Sequence, residues 1–241
     1  MCGRFSLTTP LEGLRALFGF EELPNLAPRS NIAPTQRVAA VRRGEEGARH
    51  LVELRWGLVP SWAKELSIGA RMINARGESL AEKPAFRSAF RSRRCLIAAD
   101  GFYEWQAPES GKGPKQPYRI EFEGRPPFTF AGLWESWRDP ADREGPRVES
   151  CSIVTTAASE PLRWLHDRMP VILAPQDFER WLSPGSEPEA LQALLRPWPE
   201  TGGAYGPLSV YAVSTAVNKV ANDGPELLEP LAPRPRQESL F

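Results

Sequence analysis

The chain has 241 residues, 41% of them apolar, with 30 basic and 30 acidic side chains. This length suits one large domain with a real core, and zero net charge excludes wholesale attraction to polyanions. Three cysteines without paired spacing exclude a disulfide scaffold; with no CxxC pair or clustered His no structural metal site is expected, and no 18-residue apolar run offers a membrane span.

The N-terminal MCGRFSL lacks the apolar stretch of a signal peptide, so the expected location is cytoplasmic. Thr9-Pro10-Leu11-Glu12 reads as a capping box with Pro at the first helical position. Leu11, Leu14, Leu17 and Phe18 then share one helical face, and Gly19 ends the helix. Alternating, β-branched or aromatic runs predict strands over 37–42, 51–59, 95–99, 103–106, 117–123, 128–134, 152–156, 171–174 and 208–215. Helical stretches are predicted over 80–91, 175–182 and 187–195, and the segment 108–115 (PESGKGPK) reads as a hairpin loop. The 25 prolines are about twice average usage and fit a fold with many turns. Runs of strands with scattered helices predict an α+β fold, a single domain with a mostly antiparallel, barrel-like β-sheet and a few flanking helices. That domain is expected over residues 1–229, followed by a flexible Pro-rich tail over 230–241.

Cys95 and Cys151 sit in the apolar runs RCLIAA and SCSIV and read as inert core residues. His50 lies in a polar, loop-like run and has no assigned role, and Trp56, Trp134 and Trp137 are assigned to packing. Five lysines leave 25 of the 30 basic residues as Arg, the better phosphate clamp. Between 71 and 94, seven basic residues face two acidic ones, which fits either a binding face or a solvated one.

Position 2 is the sharpest clue. Met1 is normally removed when a small residue follows, and Cys2 then carries an amine and a thiol on adjacent carbons. The α-amine has an ordinary pKa of about 7.7–8.0, so part of it is neutral and nucleophilic near pH 7. Amine attack on an aldehyde gives a Schiff base, and the thiol then closes a five-membered thiazolidine on the same carbon, an intramolecular step with little entropy cost.

Ordered motifs extend over about 220 residues: MCGRF at 1–5, NIAPTQ at 31–36, LRWGLVPSWA at 54–63, INARGESLAEKPAFR at 73–87, RRCLIAADGFYEW at 93–105, FTFAGLWE at 128–135, SIVTTAA at 152–158, LHDRMPVIL at 165–173 and VSTAVN at 213–218. Together they resemble the SOS-response-associated peptidase (SRAP) family of abasic-site processing proteins. The resemblance implies a groove for single-stranded DNA and covalent capture of abasic sites, with lyase and Met1-removing activities as further expectations, at damaged DNA in the nucleoid. It implies Cys2 as nucleophile, Asn74 holding the terminal amine or the sugar, Glu104 moving protons, and His166 acting as acid toward the sugar oxygen. The residues agree with these roles: a carboxyl flanked by Phe102, Tyr103 and Trp105 favours its protonated form, and on a strand Asn74 and Arg76 share a face.

Single-strand binding combines a basic groove with stacking aromatics. Arg4, Arg76 and Arg168 are the phosphate candidates, and Trp62, Phe86 and Trp105 the aromatic ones. The last residues, Gln237 to Leu240-Phe241, look like a peptide that docks on the replicative sliding clamp. No cofactor is expected, and the protein is expected to be a monomer. Two alternatives stay open: an N-terminal Cys hydrolase like class II glutamine amidotransferases, and a non-covalent reader of modified DNA bases.

Overall fold

A computed structural model describes residues 2–108, 110–142 and 144–232. In chain order the elements are β1 (Phe5–Leu7), α1 (Leu11–Phe18), β2 (Arg29–Ile32), β3 (Arg37–Arg43), β4 (Arg49–Trp56), β5 (Asn74–Arg76), α2 (Arg87–Ser92), β6 (Arg94–Ala99) and β7 (Gly101–Gln106). There follow β8 (Gln116–Phe122), β9 (Phe128–Trp137), β10 (Val148–Ala157), β11 (Arg168–Pro170), α3 (Phe178–Leu182), α4 (Pro188–Gln192) and β12 (Leu208–Ala212).

Five strands close into a barrel in the order β10-β4-β3-β6-β9, with β9 returning to β10. The closing pair runs antiparallel from Val148↔Trp137 to Ile153↔Gly132. β10 also carries β5, in parallel register with Asn74 opposite Ile153, and β11, antiparallel with Arg168 opposite Ala157. A second, antiparallel sheet has the order β12-β8-β7-β1-β2. The expected α+β, barrel-like architecture is therefore present, its parallel pairings confined to the contacts of β10 with β4 and β5.

One main core fills the space between barrel, second sheet and helices; Phe5, Trp56, Phe102, Phe130, Cys95, Cys151 and Trp181 are fully buried in it. α1 buries Leu14 and Phe18 and ends at Gly19, which adopts φ +70°. The expected capping box does not form: Pro10 occupies the cap position. The Thr9 amide and hydroxyl instead donate to Asp100 Oδ2, at 3.0 and 3.3 Å. The helix expected over 80–91 is confined to α2, and the strand expected over 171–174 lies at 168–170, followed by a single bridge from Ile172 to Phe130. His50 is on β4 rather than in a loop, with Nδ1 2.7 Å from Glu22 Oε1. Pro230 bridges to Val213, and the Leu231 amide donates to Ala212 O at 2.8 Å, so the first residues of the Pro-rich tail are tied to the second sheet. Gln237, Leu240 and Phe241, the expected clamp-binding tail, lie outside the described residues.

Candidate active site

β1 positions Cys2. Phe5 is its anchor: the ring is fully buried, edge-on to Trp56 at 5.1 Å and to Phe130 at 5.7 Å between centroids. β1 lies between β2 and β7, with Phe5 opposite Phe102 and the Tyr103 amide donating to Arg4 O at 3.0 Å. Continued toward the chain end, that antiparallel register sets Gly3 across from Glu104.

Behind β1 lies a buried charged network. The fully buried Arg119 guanidinium donates to Ser6 Oγ at 2.7 Å and to Glu121 Oε2 at 2.7 Å. Ser6 in turn donates to Asp100 Oδ1 at 2.6 Å, and Asp100 Oδ2 accepts from the Thr8 hydroxyl at 2.8 Å. Each buried charge has an opposite partner, the condition for keeping ions out of water. Gly101 is required here by close approach: a Cβ on it would stand 2.4 Å from the Arg119 guanidinium. The network fixes β1 against β7, and so Cys2 against Glu104.

Cys2 itself is 0% exposed. Its carbonyl accepts a 2.8 Å hydrogen bond from Asn74 Nδ2 on β5. Asn74 Oδ1 is buried and, among the described residues, accepts no hydrogen bond. Burial, the largest effect, pushes the Cys2 thiol well above its ordinary range, and the nearby Glu104 charge adds to it. The thiol is thus neutral at pH 7 rather than a standing thiolate. Burial likewise pushes up Cys95 and Cys151, as expected of inert core thiols.

Glu104 is 5% exposed on β7, directly opposite Tyr118 of β8. Burial raises its carboxyl pKa above the ordinary glutamate value; Lys115 opposes the shift and Asp167 adds to it. His166 is half-buried in the turn before β11. Burial is the largest effect lowering its pKa, with Asp167 opposing. Its Nδ1 accepts from the Arg168 amide at 2.9 Å and also lies 2.8 Å from Asp167 Oδ1. These two contacts ask opposite protonation of Nδ1. The backbone donor prevails, because Asp167 is 85% exposed and screened by water while the ring is held neutral. That leaves the proton on Nε2. The turn is joined to the Glu104 strand pair by Trp164, whose ring meets Tyr118 edge-on at 5.0 Å.

Cys2, Asn74 and Glu104 are therefore gathered where β1, β5 and β7 meet, and His166 is joined to them through Trp164 and Tyr118. The DNA candidates divide. Arg76 is exposed next to Asn74 on β5. Trp62 is 59% exposed, on the wall of a cleft also lined by Lys64 and Arg71. Arg4 donates to Asn31 Oδ1 and to Val217 O, both at 2.7 Å, and its guanidinium lies 5.9 Å from the Trp105 ring centroid. The Arg168 fork is occupied by Glu78, at 2.6 and 2.9 Å. Phe86 is half-buried against the main core, and Trp105 donates to Asn218 Oδ1 at 2.7 Å. Arg94 of the basic stretch is a core residue, capping carbonyls of Phe90, Trp181 and Ser183. Arg93 pairs with Glu135 at 2.7 Å. Trp56 and Trp137 are packing residues as expected, each donating its indole N–H to a backbone carbonyl. Tyr118, Trp164 and Lys115 carry no signal of a role in the sequence: Tyr118 is half-buried in a strand against the main core, and Trp164 and Lys115 are exposed.

A family model described as SOS response associated peptidase (SRAP) matches residues 1–220. The chain belongs to the SRAP family. This SRAP chain is 41% identical over 233 residues, covering 95% of itself and 99% of the relative, to the abasic site processing protein YoqW of Bacillus subtilis (strain 168). It is 32% identical over 227 residues to the abasic site processing protein HMCES of Xenopus tropicalis, covering 85% of itself and 64% of that longer chain. A solved structure from Bacteroides thetaiotaomicron shares the fold, with a TM-score of 0.83 over 96% of this chain and 100% of that one at 23% identity. A phage-related protein of Bordetella bronchiseptica has a TM-score of 0.68 at 30% identity, over 89% of this chain and 95% of that one. Among the described residues no group of three or more His, Cys, Asp and Glu is placed to hold a metal, and no helix is long and apolar enough to cross a membrane.

Proposed function

We propose that this SRAP protein processes abasic sites in single-stranded DNA by capturing the sugar aldehyde on Cys2 as a thiazolidine, after Met1 is removed. The observation that carries the reading is the grip of Asn74 on Cys2: Nδ2 holds the carbonyl, and a buried Oδ1 is left to accept a hydrogen bond. A buried acceptor without a partner costs about 1–3 kcal/mol. The amine freed by loss of Met1 is a donor on the same residue. Homology supports the substrate, since relatives spanning nearly the whole chain are named abasic site processing proteins.

The chemistry follows from the protonation states. As the sugar hemiacetal opens to the aldehyde the C1′–O4′ bond breaks, the proton lost by the C1′ hydroxyl passes to O4′, and O4′ accepts a hydrogen bond from Nε2 of the neutral His166 ring. The amine attacks, and Glu104, whose burial favours the protonated carboxyl, gives a proton to the carbinolamine hydroxyl, which leaves as water. The neutral Cys2 thiol then attacks the iminium carbon, its proton passing to the Glu104 carboxylate. One C–N bond and one C–S bond form, one water is lost, and Glu104 ends as it began. A thiol kept neutral by burial suits this order, because it reacts only when the iminium is beside it. Removal of Met1 and strand cleavage by the same residues belong to this reading as secondary activities, and clamp docking through Gln237, Leu240 and Phe241 as a separate one.

The test is incubation with an oligonucleotide containing one abasic site, followed by denaturing electrophoresis. A denaturation-resistant adduct is expected with wild type and not with Cys2→Ala. Equal reversible binding by both, with no adduct, supports a non-covalent reader instead and overturns the proposal.

A further inference from the structure

We infer that Trp164, braced by Tyr118, is a stacking platform for the nucleobase next to the lesion, on the side of the β7–β8 hairpin. The inference rests on the single-strand capture reading. Trp164 is 51% exposed, a large indole outside the core. Its orientation is fixed twice: Nε1 donates to Pro161 O at 2.9 Å, and the ring meets Tyr118 at 87° with centroids 5.0 Å apart. An indole held in one pose loses little conformational entropy when a flat ligand stacks on it.

Its place in the fold selects the ligand. Tyr118 is the cross-strand partner of Glu104, so the two side chains share a face of the second sheet. Trp164 also precedes His166 by two residues in the same turn. The platform thus borders both proton-handling groups. Lys115 is exposed at the foot of β8 on the same hairpin, close enough for its charge to bear on both Glu104 and His166. An aromatic face beside a cation is what a single strand uses, base on ring and phosphate on ammonium. One isolated ring is too small an apolar patch for a protein interface. With the base stacked, the baseless neighbour is the unit left over Cys2.

The test compares adduct formation rates at subsaturating DNA for three oligonucleotides. One has ordinary bases on both sides of the abasic site; the others carry an unreactive tetrahydrofuran spacer in place of the 5′ or the 3′ neighbour. Wild type is expected to slow about tenfold, the lower range for loss of one base–aromatic stack, with one spacer and not the other. Trp164→Ala is expected to react about tenfold more slowly on the full substrate and to be indifferent to both spacers, while Trp164→Phe stays near wild type. Indifference of wild type to both spacers, or an unchanged spacer effect in Trp164→Ala, overturns the platform. A second readout is independent of the chemistry: 2-aminopurine beside a tetrahydrofuran site should be quenched by Cys2→Ala protein but not by the Cys2→Ala, Trp164→Ala double variant. Quenching without any adduct from wild type sinks capture and leaves the platform; adduct without Trp164-dependent quenching sinks the platform and leaves capture.

Discussion

The side chain of Asn74 reaches from β5 to hold the backbone carbonyl of Cys2, at 2.8 Å. A hydrogen bond of this kind contributes about 0.5–1.5 kcal/mol to stability. Asn74→Ala is therefore expected to lower stability by about 1 kcal/mol while slowing capture far more, on the order of a hundredfold, because it frees the reacting residue. Thermal unfolding and single-turnover adduct kinetics separate the two effects. A rate loss no larger than the stability loss implies would reduce Asn74 to a packing residue.

The buried Glu104 carboxyl has its pKa raised in the folded protein, chiefly by burial. The sign of its effect on stability follows. Its contribution is fullest below the ordinary glutamate pKa of about 4.3 and is lost as pH rises through the higher folded-state value. Glu104→Gln is neutral at every pH, so it should melt above wild type at pH 7.5, with the gap closing by pH 4. It should also slow capture by about a hundredfold or more, the usual contribution of a positioned acid–base group. A melting gap that widens on acidification would contradict the raised pKa.

Arg168 cannot grip a phosphate with the fork that Glu78 occupies at 2.6 and 2.9 Å without giving up that carboxylate. Glu78→Gln is therefore expected to tighten binding of an unmodified single strand several-fold at low salt. Arg168→Ala should weaken it and reduce the slope of log affinity against log salt by about 0.7, the loss of one phosphate contact. A salt titration by fluorescence anisotropy reads both. No change of slope would assign Arg168 to structure alone.

Phe5 holds the chain end in the core through Trp56 and Phe130. Phe5→Ala should cost about 3–5 kcal/mol of stability and, even where the protein stays folded, abolish most capture by releasing Cys2. Denaturant unfolding gives the first number. Full capture by a folded Phe5→Ala protein would show that Cys2 needs no such anchor.

Where each element could be read from sequence has a physical explanation. The long barrel strands β3, β6 and β9, and β8 of the second sheet, were legible because their apolar and β-branched runs are buried along most of their length. β2 was not: RSNI is polar, and its Asn31 is buried only because Nδ2 finds the carbonyls of Val217, Lys219 and Asn222, far along the chain. The helix over 80–91 failed at Pro84, which lacks the amide an interior turn needs, so only the segment after it became α2. Thr9 follows a sound local rule and loses to Asp100, a partner 91 residues away. Cys2, Asn74, Glu104 and His166 were reached through ordered motifs, and their assembly depends on strand pairings that no motif records. Trp164 stands outside those signals, because its contact with Tyr118 joins a turn to a strand far along the chain.

The most direct test of the central claim is mass spectrometry of the tryptic N-terminal peptide after reaction with abasic single-stranded DNA. Capture as a thiazolidine requires a peptide beginning at Cys2, without Met1, its mass raised by the sugar remnant less one water, with both the α-nitrogen and the sulfur blocked. An adduct on any lysine, or one formed while Met1 is still attached, would contradict it.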